Sequence, residues 1–196
     1  MNTPNKLTIA RICAVPVIMA VLLIETFWQG GYLFTRTAAG VLFVAAAITD
    51  TIDGRMARKY NLITDFGKFL DPLADKMLVL SILICFVRLK MMFLGAFVTA
   101  IILLREFLVT SLRLVANNAD GNVIAASILG KLKTITQMIA IGTYLFQDVV
   151  GKIVGFEFRL WKISLADVVM LAAVALTILS GLDYMKKYAK YIDPKK

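Results

Sequence analysis

Two pairs of aspartates have the spacing most suggestive of chemistry: Asp50 with Asp53 in "TDTIDG", and Asp71 with Asp75 in "LDPLADK". Residues three or four apart share a helix face, so each pair projects two carboxylates from one side of its element. The connection between the pairs is short enough for the two helices to fold side by side and for all four acids to converge. Bare convergence is costly, because like charges repel and desolvated ions are expensive. Divalent cations remove that conflict. Hard oxygen ligands suit Mg2+ or Mn2+, and four carboxylates can hold two such ions with water or phosphate completing the shells. One pair alone reads equally as interfacial charge or capping; two pairs with glycines beside them favour a metal site. Asp65 lies outside both pairs and reads as the start of a "DFG" turn. The kinase meaning of that tripeptide fails, since no Gly-rich phosphate loop or HRD segment accompanies it.

Three nearby residues extend the constellation. Gly54 and Gly67 allow a turn or a close backbone approach to a ligand, with simple loop geometry as the alternative. Arg58 could fork onto a phosphate oxygen or anchor its helix among lipid headgroups.

The elements that position these residues are apolar. The 196-residue chain is 60% hydrophobic with a mean hydropathy of +0.80, above the 45–50% usual for soluble domains. Its apolar residues fall in long blocks, which predicts an all-α integral membrane protein forming one domain over residues 1–196. Six spans are expected, each long enough for a hydrocarbon core of about 30 Å. The first covers Leu7 to Phe27 with Pro16 as a kink, and the second covers Tyr32 to about Ile52. The third begins near Phe69, the fourth near Met91, and the fifth runs from Asn122 to Val150. The sixth is "SLADVVMLAAVALTILSGL". A bundle is the expected architecture, because lipid leaves no partner for an open sheet edge. "GKIVGFEFRLWK" reads as an amphipathic connection along the interface. The first apolar block has no small-residue cleavage site and is expected to remain as a helix.

Charge and missing residue types narrow the function. The net charge is +9 and there is no histidine, which removes His-based triads, His metal ligands and a histidine base. Lys and Arg beside apolar segments read as topology signals and anionic-lipid contacts rather than as a nucleic-acid surface. An even number of spans places both termini on one side, and five lysines in "MKKYAKYIDPKK" assign that side to the cytoplasm. Arg55, Arg58, Lys59, Lys68 and Arg113 agree. Arg88, Lys90, Lys152, Arg159 and Lys162 fall on the other side and run against the bias. Cys13 and Cys85 sit in apolar segments as small side chains. Arg105, Glu106, Arg113, Lys131 and Lys133 interrupt helices and must face an interface or a polar cavity.

The run Asp50-x-x-Asp53-Gly54-x-x-Ala57-Arg58, eight residues, then Gly67-x-x-x-Asp71-x-x-x-Asp75 resembles the full signature of the CDP-alcohol phosphatidyltransferases. The resemblance implies a six-helix membrane enzyme, commonly homodimeric, whose Asp50, Asp53, Asp71 and Asp75 bind two divalent cations. It also implies Asp75 as general base, with Gly54, Arg58 and Gly67 around the CDP portion. "NTPNKLTIARICAVP", "LDPLADK" and "REFLVTSLRL" are similar to bacterial members that transfer a phosphatidyl group from CDP-diacylglycerol to glycerol 3-phosphate. For those members Asn5, Thr8 and Arg11 lie near the nucleotide or pyrophosphate. Arg105, Arg113, Lys131 and Lys133 are then candidates for the acceptor phosphate. For Arg105 and Arg113 an intrahelical pair and a headgroup anchor are the respective alternatives, and the two lysines can simply snorkel. Another acceptor alcohol, serine or inositol phosphate, is the competing enzymatic reading. A divalent-cation transporter is the reading from a different class, and it requires carboxylates near the membrane midplane.

Overall fold

A computed structural model describes residues 2–60, 64–120, 127–155, 159–160 and 163–188. Among these residues it contains six α-helices: α1 Thr3–Ile24, α2 Tyr32–Lys59, α3 Asp65–Arg88, α4 Gly95–Asp120, α5 Ile128–Val154 and α6 Leu165–Tyr188. They alternate in direction. The start of α1 meets the end of α2 and the start of α3, and the end of α1 meets the start of α2 and the end of α5. α1 packs against α2 and α3, and α6 against α4 and α5, with α2–α5 and α3–α4 contacts joining the halves.

The core runs along the seams of these helices through Ile18, Leu22, Ile82, Leu83, Ile102, Ile141, Leu145 and Met170. Phe86 and Tyr144 meet within it, ring centroids 5.1 Å apart. Small residues let backbones approach: a Cβ at Gly40 would stand 2.6 Å from the Phe146 ring, the close packing that holds helices together in lipid. Outside the seams Phe34, Phe97, Leu104, Phe107, Leu171 and Leu179 are exposed. An apolar surface this extensive is unusual for a soluble monomer. Four segments are long and apolar enough to cross a membrane: Asn5–Ile24, Tyr32–Met56, Gly95–Arg113 and Leu165–Tyr188. α3 and α5 do not qualify on composition, since Asp71, Asp75, Lys76 and Arg88 lie on one and Lys131, Lys133, Asp148 and Lys152 on the other.

Several helix ends differ from the sequence expectation. α2 continues past Ile52 to Lys59, because the residues that follow are mostly good helix formers and buried Asp53 is held inside the bundle. Gly54 and Arg58 therefore sit on a helix rather than in a loop. α3 begins at Asp65, where the Gly67 N–H donates to Thr64 Oγ1 at 3.0 Å, an N-cap. α4 is continuous through Arg105, Glu106 and Arg113. The expected start of α5 at Asn122 falls outside the described residues; its observed cap is Ser127. α5 ends at Gly155 in the left-handed region, φ 71. Beyond it the short strands β1 Arg159–Leu160 and β2 Ile163–Ser164 pair antiparallel; the rest of that expected amphipathic connection lies outside the described residues.

A buried knot fixes the end of the bundle away from the aspartate pairs. Asp167 opens α6 and accepts from the Ser164 N–H at 2.8 Å, while the Asp167 N–H donates to Ser164 Oγ at 3.2 Å. This is a reciprocal cap of the Ser-x-x-acid type. The same carboxylate accepts from the Phe93 N–H before α4 at 2.7 Å and from the Tyr144 hydroxyl on α5 at 2.5 Å.

Candidate active site

The three-residue spacing of Asn5, Thr8 and Arg11 puts all three on one face of α1, where all are buried. That face meets the end of α2 and the start of α3. Asn5 Nδ2 donates to Thr64 Oγ1 at 2.9 Å. A Cβ at Gly67 would come within 2.9 Å of Asn5 Oδ1, so glycine is what permits this approach. Thr8 Oγ1 donates to Asp71 Oδ1 at 2.8 Å. The Arg11 guanidinium reaches three acids: Asp50 Oδ1 at 2.7 Å, Asp53 Oδ2 at 2.6 Å and Asp75 Oδ1 at 3.4 Å. The side chains of Arg11 and Asp53 are only 1% and 6% exposed, whereas Asp50 and Asp75 are 40% and 55% exposed.

The four signature aspartates are thus gathered around one α1 face, with Asp53 six residues before the end of α2 and Asp75 ten residues into α3. Their oxygens are a hard donor set suited to Mg2+ or Mn2+. Among the described residues no three acidic or cysteine side chains are themselves arranged as a cation nest; Arg11 holds the central position and supplies the positive charge. The side chain of Arg58 lies outside the described ones, as does that of Asp65.

A second polar cluster occupies the same end of the bundle, between α4, α5 and α6. Arg105 Nη2 donates to Ser180 Oγ at 2.5 Å and Nη1 approaches Glu106 Oε1 at 3.3 Å. Buried Lys133 pairs with Glu106. Arg113 donates to the Tyr184 hydroxyl, which also accepts from the Ser127 N–H at 2.9 Å. The Tyr184 ring lies beneath both guanidinium groups, 4.9 Å from Arg113 Cζ and 5.9 Å from Arg105 Cζ. Lys76, next to Asp75, donates to Thr110 on α4 and links the two clusters. Arg105, Arg113 and Lys133 are therefore brought together. Lys131 is exposed on α5 and stands apart from them.

Residues 1–179 match the family described as CDP-alcohol phosphatidyltransferase. The chain belongs to the CDP-alcohol phosphatidyltransferase family. It is 41% identical over 192 residues to a CDP-diacylglycerol–glycerol-3-phosphate 3-phosphatidyltransferase of Bacillus subtilis, covering 95% of this chain and 94% of that protein. It is 40% identical over 190 residues to the protein of the same name from Rickettsia bellii, covering 97% of each.

The phosphatidyltransferase signature explains the acids but leaves their neighbours unannounced. Ser180 and Tyr184 escaped the sequence reading, and Glu106 was read only as a charge that must face an interface or a polar cavity. One signal for them was present. An arginine inside a membrane helix needs polar or small neighbours on the facing helix, and "LSGLDY" near the end of α6 supplies Ser180, Gly181 and Tyr184. A Cβ at Gly181 would meet Arg105 Cγ at 3.3 Å, so this glycine makes room for the arginine.

Proposed function

We propose that this membrane phosphatidyltransferase transfers the phosphatidyl group of CDP-diacylglycerol to glycerol 3-phosphate, giving phosphatidylglycerophosphate and CMP. The observation that carries the reading is the junction of α1, α2 and α3, where Arg11 draws together Asp50, Asp53 and Asp75. The naming of the B. subtilis and R. bellii relatives supports the choice of donor and acceptor.

In this reading Asp50, Asp53, Asp71 and Asp75 hold two divalent cations, Mg2+ or Mn2+. Such ions, when bound, neutralise the pyrophosphate and stabilise the charge that grows as the P–O bond breaks. The protein's own residues do the rest. Asn5, Thr8 and Arg11 border the pyrophosphate, and Gly54, Arg58 and Gly67 surround the CDP portion. The primary hydroxyl of glycerol 3-phosphate attacks the phosphorus that carries diacylglycerol. Its oxygen forms the new P–O bond, the bond to the CMP phosphate breaks, and CMP departs with that electron pair. Asp75 accepts the hydroxyl proton, a role suited to a carboxylate that is half open to water and next to the other acids. Direct in-line displacement is favoured, since among the described residues no Ser or Cys stands poised as a nucleophile beside the aspartates, and the chain has no His.

The acceptor is selected by Arg105, Arg113 and Lys133. Two guanidinium groups on one tyrosine ring, beside a buried lysine, suit a phosphate-bearing acceptor and offer little to serine. Lys131 is less well placed for that role and serves as a headgroup anchor. We further assign six spans, with α3 and α5 crossing despite their charged ends, a homodimer in the bacterial cell membrane, and a site opening to the cytoplasm. A site near the cytoplasmic side of the bundle lets CDP and glycerol phosphate arrive from water while the acyl chains stay in lipid. The deciding experiment supplies purified protein with CDP-diacylglycerol and a panel of glycerol 3-phosphate, serine and inositol phosphate, then identifies the lipid formed. Phosphatidylglycerophosphate is expected; a different lipid product overturns the acceptor assignment.

A further inference from the structure

The end of the bundle opposite the aspartates holds a cleft of about 470 Å³ lined by Glu25, Thr26, Tyr32, Arg36, Arg88, Leu89 and Lys90. That volume lies within the roughly 300–1,000 Å³ of ligand pockets. Arg36 forms its inner wall, fixed by Glu25 through Nε–Oε2 at 2.9 Å and by Asp148 on α5, and stacked 5.2 Å over the Tyr32 ring. Its charge is therefore answered from within.

Arg88 and Lys90 are different. Neither forms an ion pair among the described residues, so the group carries three cations against two carboxylates. The dipole at the end of α3 accounts for Arg88, in its last turn, but not for Lys90, which lies beyond the helix. Lys90 also adopts φ 53, a left-handed conformation in which glycine or asparagine is the unstrained choice. Backbone strain of this kind concentrates at functional positions. The Thr26 hydroxyl, on the same cleft, is buried without a hydrogen-bond partner among the described residues. Finally, both cations sit on the side where the positive-inside bias disfavours them. Charge, strain and an unused hydroxyl all converge on one anion.

We propose that this cleft binds the phosphate of an anionic membrane phospholipid, at a site separate from the reaction end. A lipid is favoured over free phosphate by its surroundings. Trp28 and Tyr32 are exposed beside the cleft, and Phe27 is 91% exposed next to them, the aromatic arrangement found at headgroup level. Arg88 and Lys90 hold the phosphate, the Thr26 hydroxyl donates to it, and the acyl chains follow the exposed apolar face.

The test uses full-length protein in detergent, wild type and the double variant Arg88→Gln/Lys90→Asn, in which asparagine tolerates the left-handed backbone. Retained lipid is counted by native mass spectrometry after mixing with phosphatidylglycerol, phosphatidylcholine or inorganic phosphate. Wild type should retain one more phosphatidylglycerol than the variant, and the variant's affinity for it should be about thirtyfold weaker, given about 1 kcal/mol for each of the two cations removed. Lipid bound at the reaction end is common to both proteins and cancels. The variant should keep its transfer rate, which shows it is folded. Equal phosphatidylglycerol retention by both proteins overturns the proposal. So does equal retention of phosphatidylcholine, or competition by millimolar inorganic phosphate, which would make the cleft a free-anion site.

Discussion

Removing the Arg11 charge while keeping its bulk, Arg11→Met, tests whether this one guanidinium makes the aspartate junction tolerable. The pair that counts is Arg11–Asp53, 2.6 Å apart with both side chains nearly inaccessible. Breaking a buried pair from one side costs about 3–5 kcal/mol, because the remaining charge stays desolvated. Asp50 and Asp75 are 40% and 55% exposed, so water screens them and each adds at most about 1 kcal/mol. A loss of about 4 kcal/mol follows. It corresponds to a fall of roughly 10 °C in Tm at about 2–4 °C per kcal/mol for a chain of this size. The assay is thermal unfolding of detergent-solubilised protein in chelator. The double variant Arg11→Met/Asp53→Asn should recover most of the loss, and Mn2+ should raise the Tm of Arg11→Met more than that of wild type. Equal stability of Arg11→Met and wild type in chelator, or no recovery in the double variant, refutes the reasoning.

Asp75→Asn should abolish transfer while the variant still shows a Mn2+-dependent rise in Tm; measurable turnover would remove Asp75 as the base. Chelation of divalent ions should stop turnover and their return restore it, followed by release of CMP. Arg113→Ala should raise the KM for glycerol 3-phosphate about tenfold or more, in line with roughly 1.5–3 kcal/mol for a hydrogen bond to a charged group, with little change in the KM for CDP-diacylglycerol. Asp167→Ala removes a carboxylate that accepts from Phe93, Tyr144 and Ser164, and should cost about 3 kcal/mol in denaturant-induced unfolding.

The gathering of the four aspartates was legible in the sequence because local spacing declares it. Asp50 with Asp53, and Asp71 with Asp75, declare a shared face on their own helices. What spacing cannot show is the partner across a seam. Arg11 read as a nucleotide contact, and only folding reveals it among three acids. Tyr184 gave no local hint that two arginines would lie on its ring. The helix ends were misread at α2 and α3 for a related reason: charged residues there look like the edge of a membrane segment, yet their backbones continue the helix until a cap such as Thr64 intervenes. Asp167 was hidden inside an apolar run. Its importance lies in three bonding partners from elsewhere in the fold and from its own cap.

The Asp167 knot also has a mechanical consequence. It clamps α5, α6 and the segment leading into α4 at one extremity, and leaves the opposite extremity of α6 to carry Ser180 and Tyr184. α6 has 24 residues, so it acts as a lever roughly 36 Å long at about 1.5 Å per residue. Ser180 and Tyr184 lie roughly 20 and 26 Å along it from Asp167, so a tilt of about 5° at the clamp moves them through roughly 2 Å, enough to make or break their grip on the arginines. The fulcrum and the working tip of this helix lie at opposite ends of a segment long and apolar enough to cross a membrane, so side chains at one end set where Ser180 and Tyr184 stand at the other.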